Sequence, residues 1–144
     1  MTPFHIALHA LNDRALAAAS PLDIDGHLIN TLDVAAIREA DPFQISFEEI
    51  AEQLAAFDRL FLEPDGSFVW RGDKRGWQID GLLFDHLDQV RYIELKGWCP
   101  EQSFRRITSL LRQRRETRLV VQLFRQATLL EASEFHRLVW KTSE

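Results

Sequence analysis

Two apolar runs with strand-like alternation stand only four residues apart in this 144-residue chain, and they limit its fold more than any other feature. The first runs from Trp77 through Ile79, Asp80, Leu82 and Phe84 to Asp85. The second runs from Val90 through Tyr92, Ile93, Glu94 and Lys96 to Gly97. Their spacing predicts a hairpin. With a turn over His86, Leu87 and Asp88, Asp85 faces Gln89, Asp80 falls opposite Glu94, and Gln78 falls opposite Lys96. Side chains alternate along strands, so Gln78, Asp80, Leu82 and Phe84 share a face with Val90, Tyr92, Glu94 and Lys96. Trp77, Ile79, Leu83, Ile93 and Leu95 form the other face, which needs a cover of helix. A slip of one residue would turn this apolar set to water, so the register is strongly specified.

The remaining elements are read from periodicity and punctuation. Phe4, Leu8, Leu11 and Ala15 recur at helical spacing behind Thr2-Pro3, although Phe4, Ile6 and Leu8 also alternate like a strand. Residues 33–40 suit a short helix. Ser46 and Glu49 form a capping box ahead of a stripe of Ile50, Leu54, Phe57 and Phe61. Glu63 to Gly66 is a turn, Phe68 to Trp70 a short strand, and Arg71 to Gly76 a polar loop. Pro100 and Glu101 open a helix with Phe104, Ile107 and Leu111 on its buried stripe. Arg118 to Phe124 reads as a strand buried on both faces, and Glu131 to Thr142 as a final amphipathic helix. These elements predict a single α+β domain over 1–144. Its mixed sheet has about four strands in the order α-β-β-β-α-β-α (residues 46–144), behind an N-terminal helical lead (residues 1–45).

Asp80, followed by Glu94-Leu95-Lys96, resembles the motif of the PD-(D/E)xK phosphodiesterase superfamily, the restriction-endonuclease-like nucleases. The element order from Ser46 to Phe124 is similar to that superfamily's core. The resemblance implies a Mg²⁺-dependent phosphodiesterase: Asp80 and Glu94 ligate the metal, and Lys96 positions the attacking water. Such a metal lowers the pKa of its water and neutralises phosphate charge. Glu49 on the first helix and Gln102 on the helix after the motif are auxiliary candidates. Arg105, Arg106 and Arg112 would contact phosphate, as part of a stretch that includes Arg114, Arg115 and Arg118.

A second reading explains the same residues without chemistry. Lys96 between Glu94 and Asp80 is then an ion ladder, and the chain is a non-catalytic α+β protein-interaction domain. Leu82, Phe84 and Tyr92 would offer a surface to a protein partner or to a second copy in a homodimer. Charge bears on both readings. The net charge is −5, but residues 1–90 hold 6 basic and 16 acidic residues, and residues 91–144 hold 11 and 6. The basic half either faces a nucleic acid or balances the acidic half within the fold.

Several features narrow the setting. One cysteine, Cys99, forms no internal disulfide, which with the absence of a signal-peptide pattern predicts a cytoplasmic protein. No apolar run nears the roughly 20 residues that span a bilayer. His5 and His9 have the i, i+4 spacing of helical metal ligands but lack a third ligand nearby. Cys99 reads as a buried structural thiol rather than a nucleophile.

Overall fold

The computed structural model describes residues 2–73, 76–113 and 115–140. Lys74 and Arg75 of the polar loop, Arg114 of the basic stretch, and Lys141 and Thr142 of the expected last helix lie outside the described residues. The strands are β1 (Phe4–Asn12), β2 (Ser20–Ile24), β3 (His27–Asp33), β4 (Leu60–Leu62), β5 (Ser67–Arg71), β6 (Gln78–His86), β7 (Gln89–Trp98), β8 (Thr117–Leu123) and β9 (Thr128–Glu131). The helices are α1 (Asp13–Leu16), α2 (Phe47–Ala55), α3 (Glu101–Thr108) and α4 (Ala132–Val139), with a 3₁₀ helix at Val34–Glu39. Among the described residues the strands form one nine-stranded sheet in the order β2-β3-β9-β8-β1-β7-β6-β5-β4. Every pairing in it is antiparallel. This mostly-β architecture corrects the expected α+β fold with its mixed sheet of about four strands.

The correction begins at the N-terminus, where the expected helical lead is largely strand. Ile6 to Leu11 are all buried, because β1 lies between β7 and β8 and both of its faces are covered. An apolar residue at nearly every position satisfies a period of 3.6 as well as a period of 2, so the pattern by itself does not choose. Pairing on both sides decides for strand, since it satisfies the backbone groups of a buried segment. Asn12 then closes the strand, its side chain accepting the Ala15 amide at 3.1 Å as the cap of α1. The strands β2, β3 and β9 are short and carry little alternation. At β4, the chain leaves α2 after Ala55 and reverses at Arg59 (φ 61°). Phe61 therefore belongs to an edge strand paired with Val69, not to the helix stripe.

The central hairpin forms with a different register from the expected one. Its turn has two residues, Leu87 and Asp88, with φ of 51° and 71°, and His86 pairs with Gln89. The pairing then shifts at Phe84/Asp85, where Arg91 is the extra residue of a β-bulge. Beyond it, Phe84 faces Tyr92, Leu82 faces Glu94, Asp80 faces Lys96, and Gln78 faces Trp98. Asp80 is thus opposite Lys96 rather than Glu94, and Val90 turns into the core with no exposure. The start of β7 leaves β1 here, and residues 41–47 occupy the gap. Asp41 N donates to Ala10 O at 2.9 Å and Phe43 N to Val90 O at 2.9 Å. Val90 N donates to Ile45 O at 3.2 Å.

The main core lies on one sheet face. Ile50 and Leu54 of α2, Phe104 and Ile107 of α3, and Phe135 of α4 cover Ile6, Leu8, Ile79, Leu83, Ile93 and Leu95. Burying each of the larger side chains contributes about 1.5–3 kcal/mol. On the second face a smaller cluster of Leu11, Leu32, Val120 and Leu129 packs under Ala15, Leu16, Ala36 and Ile37. The rest of that face, over β4 to β7, stays open. Gln78, Asp80 and Lys96 are exposed there, and Val69, Leu82, Phe84, Tyr92 and Glu94 are half-buried. Among the described residues no helix is long and apolar enough to cross a membrane.

Candidate functional site

Asp80, Glu94 and Lys96 all project from the open second face of the sheet. Asp80 faces Lys96 and Glu94 faces Leu82, so the two acids are diagonal neighbours, about 7–8 Å apart at the backbone. Each acid is engaged on a different side of β7. Asp80 accepts a hydrogen bond from Gln78 Nε2 at 2.9 Å on β6. Glu94 accepts one from His5 Nε2 at 2.5 Å on β1. Lys96 makes no ion pair within 4.0 Å among the described residues, so no ion ladder forms. No group of three His, Cys, Asp or Glu side chains among the described residues is placed to hold a metal ion.

The auxiliary and phosphate-contact candidates lie on other elements, across the sheet from Asp80. Ser46 Oγ accepts the Glu49 amide at 3.0 Å, the first half of the capping box. The Glu49 carboxylate accepts from Arg112 Nη2 at 2.5 Å instead of reaching back to Ser46. Gln102 is exposed on α3. Arg105 pairs with Glu101 at 3.1 Å, and Arg118 pairs with Asp13 at 3.0 Å. The Arg106 guanidinium lies 4.2 Å above the Phe57 ring and 5.4 Å from that of Trp70. Glu101 also accepts from His136 Nδ1 at 2.8 Å. Burial acts to raise the Glu101 carboxyl, but the bonds from His136 and Arg105 outweigh it and hold the group below the ordinary carboxylate range. Arg105, Arg106 and Arg112, named for phosphate, are therefore engaged by groups of the fold on the side of the sheet that α2 and α3 cover, while Arg118 lies on the second face beside α1.

The second face also carries, on β1, two histidines that the motif did not indicate. His5 and His9 lie on one face of β1, about 13 Å apart at the strand rise, too far to share a metal. His9 Nε2 lies 2.9 Å from Gln122 Oε1, and its ring stacks on Tyr92 at 5.1 Å. Tyr92 in turn stacks on Phe84 at 4.3 Å. Burial lowers the His9 pKa below its ordinary value, against a smaller opposing effect of Gln122. The available signal was the even spacing of two histidines within an alternating run. Cys99 is fully buried and its pKa is pushed up to about 12 by desolvation, which makes it a poor nucleophile.

At the end of the sheet where β1 begins, the face opens into a groove of about 1130 Å³. It is lined by His5, Asp80, Lys96 and Phe124 from the second face and, around the end of the sheet, by Leu138 and Val139 of α4 on the first face. Compared with protein-family models, with curated proteins and with solved structures, the chain matches none.

Proposed function

We propose that this chain is a non-catalytic protein-interaction domain that self-associates through the open half of its second sheet face. One observation carries the reading: an uncovered strip of Phe61, Val69, Leu82, Phe84 and Tyr92 across β4 to β7, with Phe61 61% exposed. A strip of this kind on a sheet marks an interaction surface. The charges on the same face are Arg71 and Lys96 against Asp80 and Glu94. This balance of signs suits a second copy of the chain, whereas a polyanion calls for a surface of one sign. The divided engagement of Asp80 and Glu94 supports a role without Mg²⁺. Cys99, buried and unpaired, goes with a reducing compartment, and we place the protein in the cytoplasm.

Sedimentation equilibrium tests the proposal. The wild-type chain is expected to sediment as a dimer at about 100 µM, a concentration at which a weak interface of about 1,000 Å² is populated. Phe61→Asp and Phe84→Lys are expected to give folded monomers. A monomeric wild type refutes self-association. Cleavage of DNA or RNA with Mg²⁺ that is lost in both Asp80→Ala and Lys96→Ala refutes the non-catalytic reading.

A further inference from the structure

We propose that two copies of the chain pack face to face about a two-fold axis running along the strands between β6 and β7, so that Asp80 of each copy pairs with Lys96 of the other. The arrangement rests on the self-association proposed above and fixes its register.

The second face carries a cross-strand row that is complementary to itself. Phe61 of β4 stands opposite Val69, Val69 opposite Asp80, Asp80 opposite Lys96, and Lys96 opposite His5. Phe124 continues the row at the end of β8. Its amide donates to His5 O at 3.2 Å, and the two rings lie with centroids 4.4 Å apart. With about 4.8 Å between strands, these six positions extend over about 24 Å. Phenylalanines close both ends, Phe61 at 61% and Phe124 at 38% exposure, and opposite charges occupy the centre. Asp80 and Lys96 are both exposed, and neither has an ion pair among the described residues.

A second copy laid over this row takes Asp80 and Lys96 out of water, and a charge buried without a partner is strongly unfavourable. A dimer on this face therefore needs a register that pairs them. A two-fold contact turns the same patch on itself. With the axis over β6, Asp80 would meet the partner's Asp80. With the axis over β7, Lys96 would meet the partner's Lys96. An axis along the row, across the strands, would make both like-charge contacts. Midway between β6 and β7, the axis sets each acid against a lysine, twice by symmetry. It also brings Phe61 over the partner's Phe124 and Phe84 over the partner's Tyr92, since Phe84 and Tyr92 face each other across the same two strands. The strands of the two sheets are then aligned, as in sandwiches that pack within about 30°, and groups beside the axis shift least with that angle.

Charge exchange tests the register by sedimentation equilibrium of the full chain at about 100 µM. Asp80→Lys and Lys96→Glu each turn two attractive contacts into two like-charge contacts, and each alone is expected to weaken self-association about tenfold or more. An equimolar mixture of the two variants is expected to associate as the wild type does, because the lysines of one chain then meet the acids of the other. The double variant carrying both substitutions is expected to dimerise again. Urea midpoints check that each single variant is folded. Mixing leaves every chain with its own substitution, so a regained dimer cannot come from a repaired contact within one chain. The register is overturned if the wild type dimerises and the mixture of folded variants does not. It is equally overturned if the single variants dimerise as the wild type does, which places the contact elsewhere. A monomeric wild type overturns the self-association itself, and the register with it.

Discussion

Gly97→Ala tests the register on which the whole open face depends. Gly97 lies in β7, paired with Ile79 on one side and Phe4 on the other, at φ 131°. A Cβ there would lie 2.2 Å from the Gln78 carbonyl oxygen, 3.2 Å from its carbon and 3.4 Å from Ile79 Cα. All three atoms are backbone, so no side chain can swing aside. Ordinary carbon–oxygen contacts begin near 3.3 Å, which requires β6 to move away by about 1 Å. That movement breaks about two ladder hydrogen bonds, each contributing about 1 kcal/mol net. An L-residue held at this φ costs about 1–3 kcal/mol more. The expected loss is about 3–5 kcal/mol. Gly26→Ala is the control: its φ is 84° and nothing lies within 4 Å of the added carbon, so it carries backbone strain alone, about 1 kcal/mol. With a urea m-value of roughly 2 kcal/mol/M, Gly97→Ala lowers the midpoint by about 1.5–2.5 M and Gly26→Ala by about 0.5 M. Equal midpoints for the two variants would show that β6 and β7 are not packed as described.

Three further expectations follow from particular residues. Cys99, buried with its pKa pushed up to about 12, should resist a thiol reagent at neutral pH until the chain unfolds. Labelling of the native protein faster than its unfolding rate contradicts this. His9 has a folded pKa below its unfolded value, so its contribution to stability is complete above about pH 6.5 and falls as pH drops below it. His9→Gln should flatten the stability profile in that window, measured by urea midpoints at successive pH values, and an unchanged slope removes the argument. At the hairpin turn, Leu87 and Asp88 both hold positive φ, and Leu87 is 85% exposed. Replacing the pair by Asn and Gly should raise stability by about 1 kcal/mol, because those residues suit the I′ geometry, and a lower thermal midpoint speaks against that turn.

Much of the local structure was legible in the sequence because it depends on local chemistry. Ser46 caps α2, Phe104 and Ile107 bury one side of α3, and the alternation of β6 and β7 separates Ile79, Leu83, Ile93 and Leu95 from Asp80, Glu94 and Lys96. Sequence alternation assigns such faces because the strand period is two. It does not assign partners. Whether Asp80 meets Glu94 or Lys96 turned on one residue in the turn and one in the bulge at Arg91.

The larger features were decided only by tertiary structure. Residues 4–12 fit helix or strand equally well, and what made them strand was a place between β7 and β8, more than eighty residues away in sequence. The candidate site followed the same rule. Asp80, Glu94 and Lys96 were visible as a spacing, but the partner that holds Glu94 is His5, on a strand that the sequence pattern read as helix. The sequence by itself determined which side chains seek burial and where the chain can turn. The folded sheet decided which charges meet, because non-local pairing is set by the summed burial of whole strands and not by any single residue's preference.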